Sequence, residues 1–416
     1  MATLTEQKLQ HTPLDILAIR AQFPALHQQI YGKPLIYLDN AATTQKPKRV
    51  LDALLAYYQF TNANVHRVLH SLGGQATHDL EKTRESVKNF IHAAHAEEII
   101  FTAGTTASIN LVAYSYGQTL LKPGDEILIS HMEHHANIVP WQLVCQSTGA
   151  VLKVLPLTDN GELQLDSLDR LLTPQTKIVA ITYVSNNLGT INPLQEIISK
   201  AHAQGAVVLV DAAQAVAHLP IDVQELDCDF LAFSAHKVYG PTGVGILYGK
   251  RKLLEQMPPY QGGGNMIKQV QFDQVTYNEL PYKFEAGTPN IAAIIAFREA
   301  LGFIQELGYE AIQHHEQQLL AYAHRHLSRL PTIQLIGTAI HKVGIISLVI
   351  PGHHPFDVGM LLDAQGIAVR TGHSCAQPLM HRLGIEGVIR ASLAVYNTLD
   401  EIKQFVSTIE KISQRP

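Results

Sequence analysis

Seven short runs of valine, isoleucine, leucine and phenylalanine recur before residue 250, and amphipathic stretches separate several of them. The runs occupy residues 98–104, 126–130, 151–156, 177–185, 206–213, 230–236 and 244–249. Each is short and almost continuously apolar, the pattern of a strand buried on both faces of a sheet. A helical pattern over 193–204 closes at Gly205, where a glycine relieves the left-handed turn that ends many helices. This alternation is βαβ, and it predicts an α/β fold in which a mainly parallel seven-stranded sheet carries helices on both sides. Ligands of such sheets bind beyond the carboxyl ends of the strands.

The pattern is interrupted by a glycine- and proline-rich stretch at 257–265 and a polar, hairpin-like segment to about Phe284, then resumes with a helix from Ile291 to Leu307. A second α/β unit follows: strands at 345–350, 366–370 and 388–394, with a helix through 360–365. The last helix starts at a capping box, Thr398 to Glu401, and sets Ile402, Phe405, Val406 and Ile409 on one face. The expected organisation is a large cofactor-binding domain over 31–295 and a smaller one made of 1–30 and 296–416.

Composition removes several functions. With 416 residues, 46% hydrophobic and 16% charged, the chain can bury a large core and disorder is excluded. A net charge of −5 offers no basic field for nucleic acid. The opening stretch, residues 1–24, alternates polar and apolar positions and lacks the apolar block of a signal peptide or membrane span, so a cytoplasmic location is expected. Cys145, Cys228 and Cys375 are odd in number and far apart, which predicts free thiols.

Two neighbouring strand ends carry complementary chemistry. VLVDAAQ presents Asp211 and Gln214, and FLAFSAHK presents Ser234, His236 and Lys237. A lysine can condense with an aldehyde, and a carboxylate facing a pyridine nitrogen keeps it protonated so that the ring accepts electrons. Either residue alone is an ordinary surface lysine or turn-capping aspartate; together they are the minimum equipment for pyridoxal phosphate. A phosphate needs donors, and Gly104, Thr105 and Thr106 sit where a strand hands over to a helix, although threonine is also a common N-cap.

His131, Glu133, His134 and His135 invite a zinc reading, but their spacing matches neither HExxH nor HxxEH. An imidazole just past a strand end, as at His134, suits covering one face of a pyridine ring. Arg370 and Arg390 are candidates for a substrate carboxylate, with Asn186 on the same rim. Cys375 stands in VRTGHSCAQPLM, among loop formers beside His373. A free thiol with a pKa near 8.5 is only a few per cent ionised at neutral pH, so neighbouring cations matter to its reactivity.

The motifs MEHHANIVPW, VDAAQAV, SAHKVYGPTGVGILYG, FEAGTPN and RTGHSCAQPLM, in this order across roughly residues 30–400, resemble the group II, Suf-type cysteine desulfurases. The resemblance implies a class V, fold type I pyridoxal phosphate enzyme that takes sulfur from L-cysteine, releases L-alanine and holds a persulfide for iron–sulfur cluster assembly. It further implies that Lys237 binds the cofactor, Asp211 pairs with the pyridine nitrogen, Gln214 bonds the phenolic oxygen and His134 stacks on the ring. Thr106, Ser234 and His236 would hold the phosphate. Thr288 would reach the phosphate of the other subunit of a homodimer. Arg390 and Asn186 would clamp the substrate carboxylate, and Cys375 would accept the sulfur, passing it to a small Suf-type acceptor protein. The chain departs from the family's frequent RGTTE and GHHC, having Ala103, Ala107 and Ser374 there. Alternatives are a selenocysteine lyase acting on L-selenocysteine, and a sulfur carrier that holds the cofactor without turnover.

Overall fold

The computed structural model describes residues 14–414. The opening stretch and the 1–30 segment assigned to the small domain both begin in residues 1–13, which lie outside the described residues.

All seven apolar runs pair into one sheet. Across it the order is Ile99–Thr102, Gly245–Gly249, Phe230–Ser234, Val207–Asp211, Thr176–Thr182, Glu126–Ser130 and Val151–Leu155. Gly245–Gly249 runs antiparallel to both its neighbours, and the other strands share one direction. Alternate residues serve opposite faces, as the two-residue strand period requires. Val208, Val210, Leu231 and Phe233 join one core with the helices Ser71–Phe90 and Ile291–Leu307. Leu209, Phe230 and Ala232 join a second core with Trp141 and Val144 of the helix Val139–Thr148. Two covered faces explain why these strands read as unbroken apolar runs.

The helix expected at 193–204 spans Leu194–Ala203, and the polar segment is a hairpin of Ile267–Val270 with Val275–Tyr277. A four-stranded antiparallel sheet follows, in the order Gln334–Ile336, Ile345–Val349, Val388–Ser392 and Arg370–Gly372. Its core includes Leu348, Ile389, Phe405 and Ile409. The last helix, Leu399–Ser413, has the anticipated reciprocal cap between Thr398 and Glu401.

The run at 366–370, read as one strand, is two. Ile367–Ala368 pairs in parallel with Ile36–Tyr37, whereas Arg370–Gly372 pairs with Val388–Ser392 in the small sheet. The chain changes partners at Val369, and that switch carries it into the Cys375 loop. Among the described residues, no helix is long and apolar enough to cross a membrane.

Candidate active site

The parallel strands end along one edge, and a cavity of about 300 Å³ opens there. It is lined by Lys237, Asp211, Gln214, His134, Thr105, Thr106, Ser234, His236 and Asn186 from the large-sheet side, and by Arg370, Ser374, Cys375 and Arg390 from the small-sheet side. Sequence reading thus named twelve residues that the fold brings together. The thirteenth, Thr288, is exposed and faces other clefts, one of which it shares with Arg67 and Asn265.

Asp211 is the last residue of its strand and is buried. Its Oδ1 accepts the Ala213 N–H at 2.9 Å, the hydrogen bond this carboxylate makes among the described residues. Burial raises its pKa above the ordinary carboxylate value, while Ala213 and Lys237 pull it back. Lys237 follows the neighbouring strand. Burial pushes its pKa down to about 8; Asp211 opposes this, and the Arg390 charge adds to it. A carboxylate and a partly deprotonated amine sharing one cavity is the arrangement that lysine–aldehyde chemistry needs.

The opposite end is built for an anion. Gly245 is packed so tightly against Gly104 that a Cβ on Gly245 would lie 2.4 Å from the Gly104 Cα. That approach brings the start of the helix Thr105–Val112 onto Ser234, whose Oγ lies 2.8 Å from the Thr105 N–H and 2.7 Å from Thr105 Oγ1. Thr105 and Thr106 are thus the helix's own first two residues. Its next N–H groups, at Thr106 and Ala107, have no carbonyl within the helix to reach. With Lys237 and Asp211 in the same cavity, the lining fits a pyridoxal phosphate, this end offering the donors its phosphate would need.

His134 accepts the Ala136 N–H at Nδ1, 3.0 Å away, so the neutral ring carries its proton on Nε2. Burial first, then the Lys237, His135 and Arg390 charges, push its pKa down to about 4, so the imidazole is neutral at pH 7. Gln214 is buried and its Nε2 donates to the Ala41 carbonyl at 2.7 Å. The four residues of the zinc reading diverge: Glu133 is buried on Ser130, Asn137 and the Thr182 N–H, while His135 Nε2 accepts the Gln377 N–H. Among the described residues no three histidine, cysteine, aspartate or glutamate side chains are grouped to hold a metal ion.

Arg390 is the middle residue of its strand, Val388–Ser392, and is buried. Its Nη1 donates to the Asn186 carbonyl at 2.9 Å, its Nη2 lies 3.4 Å from Asp39 Oδ1, and its buried Nε has no partner among the described residues. Burial lowers its pKa to about 10, with Asp39 opposing. Arg370 is exposed and holds both Asp39 oxygens, at 3.3 and 2.7 Å. Asp39 is the functional neighbour that sequence reading missed. Its signal was faint: one acid after the short apolar run LIYL.

Cys375 is exposed at the cavity, and all three cysteines are free thiols. Its loop follows Arg370–Gly372 and ends at the helix Gln377–Leu383, whose second residue is Pro378. Ser374 offers its carbonyl to Asn186, whereas its buried hydroxyl has no partner among the described residues.

Residues 36–405 match the Aminotransferase class-V family. The chain is 53% identical to a cysteine desulfurase of Dickeya dadantii over 97% of its own length and 98% of that protein's. It is 51% identical to a probable cysteine desulfurase of Mycobacterium leprae over 96% of its length, and spans 66% of that longer protein. The crystal structure of the Escherichia coli cysteine desulfurase CsdA, in an S-sulfonic acid form, superimposes with a TM-score of 0.89 at 40% identity, covering 96% of this chain and 98% of that one.

Proposed function

Because this chain belongs to the class-V aminotransferase family, among its cysteine desulfurases, we propose that it converts L-cysteine to L-alanine and holds the sulfur as a persulfide on Cys375. The observation that carries this reading is one cavity lined at once by Lys237, Asp211, Arg390 and an exposed Cys375. The cofactor is pyridoxal phosphate, for which Lys237 is the covalent attachment point, Asp211 the pyridine partner, Gln214 the phenolic-oxygen partner and His134 the ring cover. Thr105, Thr106, Ser234 and His236 are its phosphate cradle.

When bound, the cofactor would supply an aldehyde for the substrate amine and an electron sink for the α-carbon as its proton departs. Lys237 is the base that receives this proton, and its lowered pKa suits it to take and return protons near neutral pH. Arg390, with Arg370 beside it and Asn186 behind it, orients the substrate carboxylate. The neutral His134 ring would cover the cofactor without adding charge.

Cys375 as thiolate attacks the substrate sulfur. A sulfur–sulfur bond forms as the substrate carbon–sulfur bond breaks, and that bond's electron pair stays with the carbon skeleton, which is protonated and leaves as alanine. The enzyme sulfur and the transferred sulfur remain together as the persulfide. This is thiol-exchange logic: rate follows thiolate fraction and access. An exposed thiol in the cavity supports a desulfurase over a selenocysteine lyase, which has less need of one.

The exposed position of Cys375 also supports hand-over to a small sulfur-acceptor protein of the Suf system, supplying iron–sulfur cluster assembly. A homodimer accounts for Thr288, which lines a cleft with Arg67 away from its own cavity. Leu69 and Phe272, nearby in the same loop and hairpin, are fully exposed. The two sheets suit a cofactor-binding unit and a smaller unit, although Ile36 and Leu38 pack with the small sheet's core and Phe23, Leu26 and Ile304 with the large sheet's, so the bounds expected at 31 and 295 do not follow the packing. Free cysteines suit a reducing compartment, the cytoplasm.

Mass spectrometry of the holoenzyme after L-cysteine, with alanine measured alongside, tests the proposal. One added sulfur on the peptide carrying Cys375 and catalytic alanine release are the expected result. Alanine without sulfur at Cys375, or stoichiometric alanine only, would overturn it.

A further inference from the structure

The Cys375 loop is held more tightly than an exposed loop of glycine, serine and proline would suggest. Three consecutive carbonyls are each engaged from the large-sheet side. Asn187 Nδ2 donates to His373 O at 3.2 Å, Asn186 Nδ2 to Ser374 O at 2.8 Å, and the His135 N–H to Cys375 O at 2.7 Å. Within the loop, the Cys375 N–H bonds His373 Nδ1 and the Ala376 N–H bonds His373 O. Ser374 and Cys375 both have left-handed backbones, with φ of 46° and 58°. Two successive non-glycine residues in that region are unfavourable unless the surroundings hold them there.

Asn187 is the unusual member of the set. It is fully buried, its Oδ1 has no partner among the described residues, and its own carbonyl accepts Ser347 Oγ at 2.6 Å. Flipping the amide would only turn its oxygen against the His373 carbonyl. A leucine of the same branched shape would fill the space without a half-satisfied buried amide, which is costly. What the amide supplies and leucine cannot is a donor to the loop.

We propose that Asn187 is a positioning residue for Cys375: by holding the His373 carbonyl it maintains the left-handed Ser374–Cys375 pair that sets the thiol against the cavity. The proposal rests on Cys375 being the sulfur acceptor. It also gives the neighbouring amide a second meaning. Asn186 accepts from Arg390 with its backbone and donates to Ser374 with its side chain, so the carboxylate anchor and the thiol loop meet on adjacent residues.

Asn187→Leu removes the donor and keeps the branched shape, and Asn187→Ala removes both. Hydrogen–deuterium exchange of each holoenzyme reads the loop directly. Exchange at Cys375 and Ala376 should rise about five-fold, the scale of one net hydrogen bond lost. Exchange in the strand Val207–Asp211 should not change. Single-turnover persulfide formation should fall about ten-fold or more, as for a misplaced reacting group. Unchanged loop exchange in both variants would overturn the proposal, and so would an equal rise in the central strand, which would mark Asn187 as core packing only. A wild-type enzyme that never carries sulfur on Cys375 would sink the desulfurase reading instead, leaving the exchange result to decide this one.

Discussion

Asp39 Oδ1 lies 3.4 Å from Nη2 of the buried Arg390, and the same carboxylate holds the exposed Arg370 through both oxygens. One acid therefore separates two guanidiniums that converge on the cavity. Without it, like charges would face each other in a partly desolvated site, where repulsion is weakly screened.

Asp39→Asn removes the charge and keeps the shape. Arg370 should swing into solvent and Arg390 should lose its charged anchor, so KM for L-cysteine is expected to rise about three- to ten-fold, with kcat changing less, the signature of lost uniform binding. Steady-state alanine release measures both constants. An unchanged or lowered KM would show that Asp39 only competes with the substrate carboxylate.

The Lys237 amine gives a pH prediction. Its pKa is lowered from 10.5 to about 8, so lowering the pH protonates it and raising the pH frees the nucleophilic amine. At pH 7 about one-tenth of such an amine is neutral, against less than about one part in a thousand for an ordinary lysine. Recombination of the cofactor-free enzyme with pyridoxal phosphate, followed by visible absorbance, should accelerate with pH and reach half its limit near pH 8. Lys237→Ala should give no such band at any pH; a normal band in that variant would remove Lys237 from the attachment site.

Gly245→Ala probes the cradle. A Cβ placed 2.4 Å from the Gly104 Cα meets backbone, which cannot rotate away, so the strand and the helix start must separate. Destabilisation of at least about 1–3 kcal/mol is expected, the range for overpacking. Affinity for pyridoxal phosphate should fall with it, because Thr105 then loses its seat on Ser234. Thermal melting with and without cofactor reads both; an unchanged melting temperature would mean that the close approach relaxes freely.

The sheet was legible because a strand covered on both faces leaves a continuous apolar run, and all seven runs fell on real strands with ends shifted by a few residues at most. Ile36–Tyr37 and Gln334–Ile336 were not, since two or three residues carry no period. Lys237, Asp211 and His134 were found because each stands just past, or at, the end of a strand whose direction the pattern fixes. Asp39 and Asn187 escaped for one physical reason. Their roles exist only through contacts with residues 351 and 186 positions away, which no local spacing encodes.

The short parallel pair of Ile36–Tyr37 with Ile367–Ala368 has a temporal consequence. Lys237, Asp211 and His134 leave the ribosome with most of their sheet, yet Asp39, made earlier still, has no arginine to meet until Arg370 appears 331 residues after it. At about 5–20 residues per second, the stretch from Lys237 to Arg370 takes roughly 7–27 s to translate, with the amine and the Asp211 carboxylate made and the arginine pair still missing. On the growing chain, the half of the cavity proposed for the cofactor precedes the half proposed for cysteine, so on that reading the cofactor's seat is made before the sulfur acceptor.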